Sequence, residues 1–260
     1  MKLNTAKAKM LQGQPAYGYA MGMGSPVVAE ALASTGIDFI LLDTQHGSFG
    51  GDSTNLSIMA MSGGTATPMA RVSYNSYTLI GRLLDEGVLG IVVPLVHTPE
   101  DAQAAADACR LPPAGKRSWG WGGASRHGAD YPDHINNELF LAIQIESSQA
   151  VDNAEAIMST PGVDGCWIGP ADLALSLGVD PRHMHEDERH MRALERVIEA
   201  CRNTGKIPGY AAFAPDAALK MAALGFIYLT AGSDSGFMLD GARKGIQTLG
   251  LSRKADAEYM

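Results

Sequence analysis

The sequence predicts an α/β protein, a (β/α)8 TIM barrel, and three observations lead there. Short apolar runs recur eight times along the chain, most of them followed by a segment of helical patterning. Several runs, FILLD, IVVPL, LFLAIQI and CWIG among them, are apolar almost throughout, as parallel strands buried on both faces are. The chain has 260 residues, and eight strand–helix units in that length match the usual barrel size of about 250 residues. Strands alternating with helices imply a parallel sheet, so residues 1–260 read as one barrel domain.

In chain order the predicted strands are Ala16–Met21, Asp38–Asp43, Thr67–Val72, Gly90–Leu95, Leu139–Glu146, Gly165–Ile168, Ile207–Phe213 and Phe226–Thr230. The clearest amphipathic segments between them are Pro26–Thr35, Tyr77–Glu86, Pro99–Cys109, Asn153–Ser159 and Met191–Thr204. Pro99 with Glu100 and Asp101 behind it marks a helix start, since proline fits the first turn and acids favour the helix N-terminus. Gly87 and Gly205 mark helix stops. Leu111–Asn137, rich in Gly, Pro, Ser and Trp, has no clear period and is expected to be a long functional loop. No internal repeat, low-complexity tract or linker stands out, and Arg253–Met260 reads as a polar tail.

Composition narrows the function. With 46% hydrophobic and 18% charged residues, the chain is an ordinary globular one, long enough for a large single core. A formal net charge of -8 argues against nucleic acid and anionic membrane surfaces as partners. It leaves room for an anionic substrate where arginines and a metal ion dominate locally. Cys109, Cys166 and Cys201 are scattered and form no CxxC pair, which suggests neither a disulfide framework nor a cysteine zinc site. A cytoplasmic location is expected. The opening residues lack the pattern of a signal peptide, and no stretch of 18 apolar residues occurs.

Barrel enzymes carry their chemistry at the C-terminal ends of the strands. There the sequence puts Asp43-Thr-Gln-His46, Arg71, Gln144-Ile-Glu146 and Gly169-Pro-Ala-Asp172. Glu146 and Asp172 are candidate ligands for a divalent metal, because hard cations take oxygen donors and magnesium is often held by one or two carboxylates plus substrate and water. Glu146 in a structural ion pair, or Asp172 as a helix cap, is the plainer reading of each. Arg71 could hold a 2-oxo acid and stabilise developing negative charge, or simply bridge across the mouth. His46 could be a general base, or an ordinary loop histidine.

At these residues the chain resembles the HpcH/HpaI family of class II pyruvate aldolases. The resemblance runs through GIDFILLDTQHG, ARVSYNSYTLIGRLLDEGVLGIVVPLVHTPEDA, RLPPAGKRSWG, LAIQIESSQAVDNAEAIMSTPGVDGCWIGPADLALSLG and GFIYLTAGSD, most of the chain in family order. It implies a barrel of the phosphoenolpyruvate/pyruvate-binding type and a divalent metal (Mg2+, Mn2+ or Co2+) on Glu146 and Asp172. Gln144 and Ala171 would contact the pyruvate half of the substrate, and Arg71 would stabilise the transition state. His46 would be the base, with Asp85 raising its basicity, if need be from an adjacent subunit, and Asp43 would support the His46 loop. The implied substrates are pyruvate or another 2-oxo acid and an aldehyde, joined or cleaved reversibly. Oxaloacetate decarboxylation through the same enolate is the alternative, and a non-catalytic binding barrel a more distant one. No Schiff-base lysine is needed, and Lys206 falls at the wrong end of a strand. The family further implies a homotrimer or homohexamer, with Gly236–Leu249 as a helix exchanged between subunits.

Three departures from the family pattern stand out. Gln45 replaces the usual Glu of a DxEH-like motif. His97 stands where many members carry an acid, and reads either as a substrate contact or as a loop histidine. The stretch from Trp119 through Trp121 to Arg126-His127 replaces a plainer RGxG loop. Its tryptophans suggest either an acceptor pocket for a bulky or anionic aldehyde, or subunit packing.

Overall fold

The computed structural model describes residues 1–120 and 122–251. It opens with helix α1 (Thr5–Leu11). There follow β1 (Ala16–Met21), α2 (Pro26–Ala33), β2 (Phe39–Asp43), α3 (Gly51–Ala60), β3 (Thr67–Arg71), α4 (Tyr77–Glu86), β4 (Gly90–Val93) and α5 (Pro99–Cys109). The second half runs α6 (Tyr131–Glu138), β5 (Phe140–Ile145), α7 (Ser148–Asp152), α8 (Ala154–Met158), β6 (Gly165–Ile168), α9 (Pro170–Ser176), α10 (Glu188–Thr204), β7 (Gly209–Ala212), α11 (Pro215–Leu224), β8 (Tyr228–Ser233) and α12 (Asp234–Thr248). All eight strands are parallel, and β8 closes on β1.

Two apolar layers follow from the period-2 alternation of the strands. Phe39, Leu41, Met69, Val92, Phe140, Trp167 and Tyr228 fill the barrel interior, while Ile40, Leu42, Ile91, Leu141, Ile143 and Ile168 pack outward against the helices. Helix α1 plugs the N-terminal end. Its Ala6 and Met10 join the interior cluster, and Asn4 Nδ2 and Lys7 Nζ each donate at 2.8 Å to carbonyls just before a strand, those of Leu89 and Leu139.

The predicted strands are all present, β1 and β6 with the expected bounds and the other six with one or both ends shifted. The largest shift is in β8, which starts at Tyr228, where pairing with Ala16 and Gly209 begins, and runs on through Ala231-Gly232-Ser233. Those small residues carry no apolar signal. At β7, Ile207 makes only an isolated bridge to Gly165, and the ladder begins at Gly209. The segment 111–137 is less irregular than expected. It contains a 3-10 turn at Gly123–His127 and the start of α6, in which Tyr131 and Ile135 alone are buried, too thin a stripe to read as a helix. Helix α12 begins two residues before the expected start and is exposed from Phe237 onward. The predicted tail, Arg253–Met260, lies outside the described residues.

Candidate active site

The mouth is built from the residues that end β2, β3, β5 and β6. Asp43 and Arg71 are register partners on adjacent strands, and the guanidinium meets the carboxylate in a fork, Nε to Oδ1 at 3.0 Å and NH2 to Oδ2 at 2.5 Å. Burial works to raise the Asp43 carboxyl, but the hydrogen bonds and charge of Arg71 outweigh it and hold it below its ordinary value. Oδ1 also accepts from the backbone N–H of Gln45 at 3.0 Å and of His46 at 3.2 Å. One carboxylate thus orients the arginine and shapes the loop that carries His46. The His46 ring is exposed and has no partner among the described residues. Below Arg71 lies Trp167, its ring centroid 5.5 Å from the guanidinium carbon.

Across the mouth, Gln144 is the penultimate residue of β5, and Glu146 follows one residue beyond the strand. Both are buried. Leu95 adopts a left-handed φ of 58°, rare for a residue of this kind, and so turns its N–H onto Glu146 Oε1 at 2.8 Å. Glu146 Oε2 accepts from Gln144 Nε2. No Lys, Arg or His pairs with Glu146 among the described residues, so the ion-pair reading of this acid fails. Gln144 Oε1 is buried with no partner. Gly169 closes over both side chains, and a Cβ there would fall 2.9 Å from Gln144 Nε2 and 3.1 Å from Glu146 Oε2. It is also the residue that caps α9, with backbone alone. Asp172 therefore does not cap that helix. It stands exposed in the first turn, next to the exposed Ala171.

Asp85 does not meet His46 within the chain. It ends in a bond from Arg117 NH2 at 2.9 Å and abuts the Gly120 backbone. It lines a cleft of about 640 Å3 outside the barrel, with Tyr77, Ser118 and Arg126. Trp119 meets Tyr131 edge-on at 6.0 Å on the same side. Trp121 lies outside the described residues. His97 lies in the loop after β4, where Nδ1 bonds Ser147 Oγ at 2.8 Å and its backbone N–H donates to Asp101 Oδ2 at 3.0 Å. Gln45 Oε1 is buried with no partner. Lys206 precedes β7 at the closed end and donates to the Val163 carbonyl at 2.6 Å. Trp167 and Leu95 carry no signal in the sequence that marks them as site residues. Trp167 sits inside the apolar run CWIG, and nothing in the pattern tells an interior strand residue from an outward one there.

A closed parallel barrel with complementary charged groups gathered at the C-terminal mouth is the architecture of a barrel enzyme. The model of the family HpcH/HpaI aldolase/citrate lyase matches residues 21–240. A 4-hydroxy-2-oxo-heptane-1,7-dioate aldolase of Escherichia coli is 33% identical over 236 residues, covering 89% of each chain. A 2-keto-3-deoxy-L-rhamnonate aldolase of Klebsiella pneumoniae is 34% identical over 236 residues, 89% of this chain and 88% of its own. Among solved structures, an HpcH/HpaI aldolase/citrate lyase family protein of Burkholderia cenocepacia superposes with a TM-score of 0.87 at 31% identity, over 95% of this chain and 99% of its own. The chain belongs to the HpcH/HpaI aldolase/citrate lyase family and is a carbon–carbon lyase.

Proposed function

We propose that the protein is a divalent-metal-dependent aldolase that cleaves 4-hydroxy-2-oxo acids to pyruvate, or another 2-oxo acid, and an aldehyde, and runs the reverse addition. The observation that carries this reading is Glu146, a buried carboxylate at the mouth with no cationic partner among the described residues, facing the head of α9. Leaving such a charge unpaired is costly, and a cation would relieve it. Asp172, one turn into α9, is the second donor. Among the described residues no group of three or more His, Cys, Asp or Glu could hold a metal. Two carboxylates with the remaining positions left to substrate and water suit Mg2+, Mn2+ or Co2+.

A cation bound there supplies Lewis acidity, which lowers the pKa of the protons next to the 2-oxo group. The chain's residues do the rest. Gln144 and the free backbone N–H of Ala171 orient the carboxylate end of the 2-oxo acid. In the cleavage direction His46 takes the proton of the 4-hydroxyl at a ring nitrogen. The C3–C4 electron pair forms the C2=C3 bond while the carbonyl π pair moves onto the 2-oxo oxygen, the aldehyde leaves, and C3 of the enolate takes the proton that His46 holds. Arg71, already held by Asp43, donates to the oxygen on which charge develops. Asp85 raises the basicity of His46 from a neighbouring subunit. The supporting features are its half-exposed carboxylate in an open cleft and the partner-free His46 ring. The assembly is a homotrimer or homohexamer in which α12 is exchanged, since Phe237, Met238, Leu239 and Ile246 of that helix are exposed in the single chain. Trp119, whose neighbour Gly120 abuts Asp85, lies on the acceptor side and favours a bulky or anionic aldehyde; packing between subunits is the second reading. No helix among the described residues is long and apolar enough to cross a membrane, and three free cysteines suit a cytoplasmic location.

Retro-aldol cleavage of a 4-hydroxy-2-oxo acid, followed by pyruvate release before and after chelation, tests the reading. Turnover is expected to vanish with the chelator and return with Mn2+ or Mg2+. Cleavage that survives chelation would refute it.

A further inference from the structure

Asp234 takes no part in the chemistry above, yet it is a buried acid with an unusual set of partners. It is 4% exposed and has no cationic partner among the described residues. Its carboxylate instead collects backbone N–H groups: Oδ1 accepts from Gly22 at 3.0 Å and Ser235 at 2.8 Å, and Oδ2 from Met23 at 2.9 Å. A buried charge satisfied only by amides must be held by a rigid arrangement of donors. Two of the three donors belong to the loop after β1, across the barrel seam from β8.

That loop is one jaw of a clamp on the His46 loop. The Gly22 carbonyl accepts from Ser48 N–H at 2.7 Å. Gly24, at a φ of 66°, lies so close that an added Cβ would stand 2.6 Å from the Ser48 carbonyl oxygen. Gly47 is wedged between the two sides, where a Cβ would meet the Asp43 carbonyl oxygen at 2.3 Å and Gly22 Cα at 3.0 Å. The other jaw is Asp43, which holds the N–H groups of Gln45 and His46. His46 is therefore gripped from β2 by Asp43, and from β1 by a loop whose own N–H groups end on Asp234.

We infer that Asp234 is a positioning residue for His46, acting through Gly22–Gly24 and Ser48. The inference rests on His46 being the base. Removing the carboxylate orphans part-buried N–H groups and releases the β1 jaw, while Gln144, Glu146 and Asp172, carried by β5, the residue after it and α9, keep their places. The Asp234→Asn variant puts an amide where two carboxylate oxygens accept. Gly24→Ala pushes the two loops apart without touching Asp234, and decides the matter should Asp234→Asn fail to fold.

The experiment compares three readouts in both variants: amide hydrogen exchange of a peptide spanning 44–49, Mn2+ affinity by electron paramagnetic resonance, and deuterium exchange at the pyruvate methyl of the Mn2+-loaded enzyme. Amide exchange in 44–49 is expected to rise, Mn2+ affinity to stay the same, and methyl exchange to fall about tenfold, part of the 10²–10⁴ that a well-placed base supplies. In a His46→Ala background Asp234→Asn is expected to add no further loss, because coupled residues are non-additive. Unchanged protection of 44–49 would overturn the inference, as would weakened Mn2+ binding or an equal loss in the His46→Ala background. If His46→Ala alone leaves methyl exchange intact, the base assignment fails instead, and the amide readout still tests the link between Asp234 and the loop.

Discussion

The two ends of the barrel treat their polar groups in opposite ways. At the closed end every buried charge is matched. Lys7 Nζ reaches two carbonyls and Asp164, and Arg110 reaches the carbonyls of Asn136, Leu139 and Gly162 and the second oxygen of Asp164. Asp164 in turn accepts from Leu141 N–H at 2.7 Å. At the mouth, Gln144 Oε1 and Gln45 Oε1 are buried without partners, Glu146 lacks a cation, and the His46 and Asp172 side chains bond nothing among the described residues. Buried polar groups are normally satisfied. The charge cluster of Lys7, Arg110 and Asp164 is completed by the fold itself, whereas the unpartnered acceptors gathered at the mouth are completed by a ligand.

The largest effect expected of this contrast is at Glu146. Glu146→Gln keeps the shape but not the charge, and turnover should fall at least about a thousandfold by loss of the metal's Lewis acidity, with little change in melting temperature. Titration of Mn2+ into both proteins checks the cause, and tight Mn2+ binding by the variant would break the comparison. Next is Arg71. Arg71→Lys loses the fork to Asp43 and the stacking on Trp167, so turnover should drop about a hundredfold, as for other single oxyanion donors, with a smaller change in KM. Arg110→Met is the counterpart at the closed end. Breaking a buried ion network costs about 3–5 kcal/mol, read by urea unfolding, and turnover per folded molecule should not change.

A smaller effect concerns acid. Asp43 is held below the ordinary aspartate value of 3.8 in the folded chain. As pH falls past that value the unfolded chain takes up a proton before the folded one does. The stability Asp43 contributes is therefore complete above about pH 4 and disappears as pH drops through its folded pKa. Melting curves from pH 5 to 2 should fall less steeply for Asp43→Asn than for the natural chain, and parallel curves would contradict this. The smallest effect is at Trp119. Trp119→Ala should shift the aldehyde preference severalfold, within the range of a changed apolar contact, and leave pyruvate methyl exchange unaltered. A loss of methyl exchange would move Trp119 from the acceptor side to the base.

Most of the barrel could be read from the sequence because its strands are buried on both faces and so are apolar throughout. Helices α1, α3, α6, α7 and α11 do not stand out because each buries at most two apolar residues, too few to show a period. At the site, the acids, the arginine and the histidine could be read as residue types at strand ends. The pairing of Arg71 with Asp43 could not, since register, not spacing, brings them together. Nor could Asp85, whose partner Arg117 lies in the irregular loop, or Asp234, whose partners Gly22 and Met23 are more than 200 residues away in the chain.

The central claim is enolate chemistry that depends on a metal at Glu146. Its most direct test is proton–deuterium exchange at the pyruvate methyl, followed by NMR after chelation and after adding back Mg2+ or Mn2+, in the natural chain and in Glu146→Gln. We predict exchange in the natural chain only when metal is restored, and none in the variant. Exchange that persists in chelator, or that Glu146→Gln retains in full, would contradict the account.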